Sequence, residues 1–161
     1  MPSYANNTPP SSPTKVTVTA FITDIQSVDE LNEQMQVDAI FQYKWNDPRL
    51  AFDSQKDGVP YKLFQGAFQL DEMFEGWRPQ MTITNEIGSP QIKEAQIRIY
   101  PNGQVILKEH RTLSLETPMK LEKFPFDQQA LKAYLIPFGF NNDEVQLEVN
   151  PSYKVLVKDY G

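Results

Sequence analysis

The amino-acid sequence predicts an all-β chain, a β-sandwich of immunoglobulin-like twist. Three observations lead there. Short runs of apolar and polar residues alternate at period two. Pro, Gly, Asn and Asp cluster between those runs, where turns need them. No segment sustains the 3.6-residue period of a long helix. With 161 residues, 40% hydrophobic and 12% aromatic, the chain suits one core and is too apolar for general disorder.

The elements follow in order. Residues 1–14 hold Pro2, Pro9, Pro10 and Pro13 among Ser, Asn and Thr, and read as a disordered leader. From Lys15 to Gly161 the chain reads as one sandwich domain. Val16, Val18, Ala20 and Ile22 alternate with Thr17, Thr19 and Thr23, a strand pattern of β-branched residues. Residues Ser27 to Glu33 are acidic and read as a turn. Val37, Ala39, Phe41, Tyr43 and Trp45 then share one strand face. Gln36, Asp38, Gln42 and Lys44 share the other, with Ile40 as the apolar exception. Residues 53–74 are irregular, with a short helical turn near Gln69 to Phe74. Met81 to Thr84 is a short strand and Gln91 to Tyr100 a longer one. The Asn102–Gly103 pair closes a hairpin onto a return strand whose apolar parity includes Val105, Leu107, Leu113 and Leu115. Gln128 to Ile136, Val145 to Val149 and Tyr153 to Val157 complete the set. Such a succession of short strands indicates a sandwich or barrel.

Composition excludes several classes of function. The net charge is -6, which argues against a nucleic-acid partner, since that needs a basic stripe. There is no Cys, so thiol nucleophiles, disulfides and zinc–thiolate sites are ruled out. A single histidine, His110, rules out any two-imidazole metal site, and it reads as a solvated strand residue beside Lys108, Glu109 and Arg111. No phosphate loop, nucleophile elbow or poised carboxylate pair is visible. No catalytic residue, metal or cofactor is therefore assigned, and the chain reads as a non-enzyme. No run approaches the roughly 20 apolar residues of a membrane span, and residues 1–14 lack the apolar stretch of a signal peptide.

Three motifs remain. Trp45, Asp47, Arg49, Leu50 and Phe52 form the first. Trp77, Pro79 and Asn85 form the second, and Phe124, Pro125, Phe126 and Asp127 the third. Their order and spacing resemble the extracellular ligand-binding domain of pentameric ligand-gated ion channels, the Cys-loop receptor superfamily. The resemblance runs from about Val16 to Val149. Asp29, Glu30 and Glu33, with Arg49 to Asp53, look closest to prokaryotic members. Thr117 and Leu131 stand where animal receptors carry the two loop-closing cysteines. The chain stops before the strands of loop C and before four membrane helices, and so reads as truncated.

The resemblance implies a homopentamer on the extracytoplasmic face of a membrane, joined to it by a transmembrane domain absent from this chain. A small molecule, or protons, would bind between subunits. Thr84 in loop A and Phe138 in loop B would form one side of that site, and Ile40 and Gln42 the other. Loop E falls around Leu107 to Arg111. Simple packing is the other reading of Phe138. Ile40 and Thr84 replace aromatics found in many animal receptors, which argues against an amine ligand. Pro125, Phe126 and Asp127, with Asp29 and Glu30, would couple binding to the pore. Glu33, with Asp29 and Glu30, would sense protons if their mutual repulsion raises some of their pKa values. A solvated acidic turn is the alternative. Trp45 and Trp77 read as core anchors. The alternative function is a stand-alone soluble binding protein on the same sandwich, with no pore.

Overall fold

The structure, a computed structural model, describes residues 8–66, 69–117, 133–149 and 156–157. Among these residues, nine strands form two sheets. In chain order they are β1 (Thr14–Asp29), β2 (Gln34–Asn46), β3 (Lys62–Gln65), β4 (Met81–Ile83), β5 (Gln91–Ile99), β6 (Gln104–Glu116), β7 (Tyr134–Pro137), β8 (Val145–Val149) and β9 (Leu156–Val157). The larger sheet has the order β3-β5-β6-β2-β1-β8, and the smaller one β4-β7-β9. This is the predicted β-sandwich.

Burial explains the arrangement. Along β2 the side chains from Met35 to Trp45 alternate without a break between buried and more exposed positions. Such one-sided alternation pins register, because a slip of one residue would turn every apolar group to water. β2 pairs antiparallel with β1 on one side and with β6 on the other. The core joins residues of the large sheet, such as Phe41, Tyr43, Leu107 and Leu113, to Met81, Ile83 and Leu135 of the small one. Trp45 and Trp77 are buried and meet edge to face, with ring centroids 5.7 Å apart. Phe140 adds a second edge contact to Trp77 at 5.9 Å.

The first motif is a built corner. After β2, Asp47 caps a single 3₁₀ turn, Pro48–Leu50. Its buried carboxylate accepts from the Arg49 backbone N–H at 3.0 Å, from Arg49 Nε at 2.9 Å and from Nη2 at 3.0 Å. The forked, charge-assisted geometry is what a guanidinium supplies and an ammonium does not. The Asp47 N–H donates to the Gly103 carbonyl at 2.8 Å, which docks the corner onto the β5–β6 hairpin. Gly103 has φ of 89°, and a Cβ there would lie 2.7 Å from the Asp47 carbonyl oxygen. Asn-Gly chemistry is thus needed twice, for the turn and for this close approach.

Several elements differ from the sequence reading. β1 continues through Ser27 and Val28 to Asp29, so the acidic turn shortens to residues 30–33. Ile22 shared the apolar parity of Val16 and Val18, yet it is half-exposed. Along the described part of β8, pairing with β1 covers Thr14–Val18 and does not reach Ile22. The first strand also takes in Thr14, which is buried. The Thr8 carbonyl accepts from Arg49 Nη2 at 2.8 Å. The irregular region contains the helix α1 (Ser54–Asp57) and strand β3, neither of which was foreseen. A five-residue π turn, Gln69–Met73, falls where a helical turn was expected. The strand expected from Gln128 begins at Tyr134 among the described residues; residues 128–132 lie outside them, as do residues 150–155 before β9.

Candidate functional site

The face of the large sheet turned away from the core is built from the second parity of β2 and β6. Cross-strand neighbours there are Phe21, Ile40, His110 and Glu94 in one row, and Thr19, Gln42, Lys108 and Gln96 in the next. Ile40 and Gln42 therefore lie on one face, both half-buried. The next row holds Asp38, which accepts from Thr112 Oγ1 at 2.8 Å and Gln26 Nε2 at 2.9 Å and pairs with Lys93 at 3.4 Å. The Thr112 hydroxyl, then Lys93 and Gln26, hold its carboxyl below the usual aspartate range, against a smaller effect of burial.

Thr84 and Phe138 sit at opposite ends of the β4–β7 pair. The Thr84 N–H donates to the Tyr134 carbonyl, and the Phe138 N–H to the Gln80 carbonyl, each at 2.8 Å. Four residues of extended chain separate Gln80 from Thr84, about 13 Å at the usual rise. Both side chains are exposed, Phe138 by 64%. The structure thus places both on the small sheet and does not bring them into contact. Asn85, beside Thr84, serves the fold. Its Nδ2 donates to the Glu116 carbonyl at 3.0 Å, and its Oδ1 accepts from the Tyr134 N–H at 3.1 Å. These bonds tie the end of β6 to the start of β7.

Asp29, Glu30 and Glu33 surround the β1–β2 turn. Asp29 accepts from the Asn32 N–H at 3.1 Å and from Asn32 Nδ2 at 2.8 Å. Those bonds hold its carboxyl below the usual range, the direction opposite to the one expected from mutual repulsion. Pro125, Phe126 and Asp127 lie outside the described residues.

One feature escaped the sequence reading. Glu109 and Arg111 occupy the inward parity of β6 between Leu107 and Leu113, and both are buried. Arg111 Nε and Nη2 donate to Glu109 Oε1 at 3.1 and 2.9 Å, and Nη2 also donates to the Met81 carbonyl at 3.1 Å. A charged pair therefore bridges the two sheets, under the Phe41 ring, whose centroid is 6.0 Å from the guanidinium carbon. Its Coulomb field acts on two neighbours. Burial, then the Glu109 charge, pushes the Tyr43 phenol well above its usual range. Burial raises the Glu86 carboxyl, with Arg111 opposing. The parity itself was the available signal: Val105, Leu107, Glu109, Arg111, Leu113 and Leu115 form one unbroken series.

A cavity of about 750 Å³ opens beside this pair, lined by β5, β6, the segment 78–81 and Ile40. His110 also lines it, half-buried, with Nε2 lacking a hydrogen-bond partner among the described residues. The histidine is thus not the solvated residue that its charged neighbours suggested. Ile40 alone of the four expected ligand-contact residues reaches the cavity.

Comparison with known proteins agrees with this architecture. Residues 1–160 match the family model described as the neurotransmitter-gated ion-channel ligand binding domain. The chain is 28% identical over 159 residues to the acetylcholine-gated chloride channel subunit acc-1 of Caenorhabditis elegans. That alignment covers 96% of this chain and 33% of the nematode protein, so the chain spans about a third of its relative's length.

Proposed function

The chain belongs to the neurotransmitter-gated ion-channel ligand-binding domain family, and on that premise we propose that it is the extracellular recognition domain of a pentameric ligand-gated channel whose small ligand binds between subunits. The observation that carries the reading is the family match across residues 1–160, on a chain that folds into two β-sheets. Thr84 and Phe138 on the small sheet of one subunit would face Ile40 and Gln42 on the large sheet of the next. Because Thr84 and Phe138 stand about 13 Å apart along β4 and β7, a small ligand would contact one of them closely. Phe138 is the stronger candidate, since its exposed ring offers apolar area and a π face.

Ligand contact at both half-sites would favour one arrangement of neighbouring sandwiches over another, and only that difference in affinity can shift a gating equilibrium. The loops around Asp29 and Glu30, and around Pro125, Phe126 and Asp127, would carry the bias to a membrane domain outside this chain. Residues 15–161 would be the binding domain and residues 1–14 a leader. The absence of cysteine and the Asp29-to-Glu33 and Arg49-to-Asp53 patterns support a prokaryotic-type member, and five copies of this chain would close a homopentamer. Protons are the second candidate ligand, with Glu33 and Glu30 as the sensors to test, since Asp29 is held ionised by Asn32.

The test is voltage-clamp recording of the full polypeptide against a panel of small ligands and a pH series. The expected result is a gated current whose half-maximal concentration rises at least about tenfold in Phe138→Ala, the loss of one good aromatic contact. A pentamer that binds ligand and passes no current would favour the soluble alternative. No binding and no current would remove the proposal.

A further inference from the structure

We propose that Asn102, at the tip of the β5–β6 hairpin, is a site of spontaneous covalent modification: deamidation to isoaspartate, held in check by the corner that docks on the turn. The inference concerns the chemistry of the chain itself and does not rest on the channel reading.

The dipeptide supplies the reactivity. Asn102–Gly103 is the one Asn-Gly pair among the 161 residues. In such a pair the Gly103 nitrogen attacks the side-chain carbonyl carbon of Asn102. The N–H proton passes to solvent base, a new C–N bond closes a succinimide ring, and the side-chain nitrogen leaves as ammonia. Solvent water then opens the ring at either carbonyl, giving aspartate or isoaspartate. Glycine favours the attack because no Cβ hinders approach to its nitrogen. Asn102 is exposed, so water reaches its amide.

The fold opposes each part of that step. Gly103 is buried, which keeps solvent base from its N–H. That N–H donates to the Tyr100 carbonyl at 2.9 Å, so the attacking nitrogen is already engaged. The electrophile is held as well, since Asn102 Oδ1 accepts from the Gln104 N–H at 3.0 Å. Two further bonds pin the loop from outside. The Asp47 N–H donates to the Gly103 carbonyl at 2.8 Å, and the Phe52 N–H to the Pro101 carbonyl at 3.1 Å. Ring closure must turn the peptide between Asn102 and Gly103, and these bonds resist the turn. Reaction therefore needs a local opening, and its rate follows the open fraction.

The two products differ in fit. Aspartate keeps the main-chain path and offers Gln104 N–H a charge-assisted acceptor. Isoaspartate routes the main chain through the former side chain and lengthens it by one carbon. The Gly103 carbonyl then leaves its place on the Asp47 N–H. No slack exists there, since even a Cβ at Gly103 would lie 2.7 Å from the Asp47 carbonyl oxygen. Asp47 is buried and its carboxylate holds Arg49, so the lesion reaches the whole corner. Each isoaspartate is thus a permanent record of one opening.

The experiment incubates the full polypeptide at mildly alkaline pH, folded in buffer and unfolded in guanidinium chloride. Mass spectrometry follows the tryptic peptide between Arg98 and Lys108, with fragmentation that tells isoaspartate from aspartate. Deamidation at Asn102 should be at least about tenfold slower in the folded chain. Arg49→Lys keeps the charge, loses the fork and leaves residues 101–104 untouched. It should speed the folded reaction several-fold and leave the unfolded rate unchanged. If that variant does not fold, the wild type in denaturant below its unfolding transition decides, and its rate should rise before global unfolding begins. The isolated isoaspartate form should melt several degrees lower, whereas Asn102→Asp should melt like the wild type. Equal rates in folded and unfolded chains would overturn the proposal. So would a folded rate that ignores Arg49→Lys, one that rises only with global unfolding, or an isoaspartate form of unchanged melting temperature.

Discussion

Removing Glu109 while keeping Arg111 should be among the most damaging single changes in this domain. Arg111 is 2% exposed and donates three hydrogen bonds to described residues, two of them to one oxygen of Glu109. In Glu109→Ala the guanidinium stays buried with the Met81 carbonyl as its remaining partner. Breaking a buried pair in this one-sided way costs about 3–5 kcal/mol. Domains of this size are stable by about 5–15 kcal/mol, so the loss is a large fraction of the total. Replacing both groups by apolar residues of similar volume, Glu109→Leu with Arg111→Met, removes the stranded charge and should be neutral or stabilising by about 1–4 kcal/mol. Urea unfolding of the wild type, Glu109→Leu, Arg111→Met and the double variant closes a mutant cycle. The expected coupling is at least about 2 kcal/mol. Simple additivity of the two single changes, or a cost below about 1 kcal/mol for Glu109→Ala, would refute the reasoning that the charges depend on each other.

Three further outcomes follow from the geometry. Gly103→Ala should lower stability by about 1–3 kcal/mol, because it combines a left-handed backbone with a Cβ 2.7 Å from the Asp47 carbonyl, and a thermal melt reads the loss directly. Asn85→Ala removes both links between β6 and β7 and should cost about 1–3 kcal/mol in chemical denaturation, with Asn85→Asp, which keeps the acceptor and loses the donor, falling between. Glu86 gives a pH dependence: its folded pKa is raised, so the folded state holds the proton more tightly than the unfolded one. Ionised Glu86 therefore opposes folding at neutral pH, and that penalty disappears as pH falls below the usual glutamate range. Glu86→Gln should raise the unfolding midpoint at pH 7 and have no effect near pH 3–4; an equal gain at both pH values would contradict this.

The sequence was most legible where a strand has one wet face and one dry face. β2 is such a strand, and its parity reads directly as burial. β1 was legible only as far as Ala20, because the exposure of Ile22 is set by tertiary context and not by the local alternation. The helix α1 has local signals, Asp53 capping Gln55 and Lys56 and Gly58 in the left-handed region, but four residues carry no periodicity. Glu109 and Arg111 entered the sequence reading only as neighbours of His110 and as part of loop E, because charge usually marks exposure. Their parity pointed inward, and mutual pairing is what lets them obey it. The proposed half-sites would depend on a neighbouring subunit, which no pattern within one chain displays. The approximate distance between Thr84 and Phe138 emerged only from the β4–β7 register.

The parallel pairing of β1 with β8 also has a consequence in time. Thr14 lies beside Val145, so the first strand cannot complete its sheet until most of the chain has left the ribosome. The β1–β2 hairpin, closed by four residues, can form early. Until β8 arrives, the edge around Val16 and Val18 stands open, apolar and unpaired, a template for a neighbouring nascent chain. Slow, late closure by β8 therefore makes folding yield, more than final stability, the quantity that holdase chaperones would control.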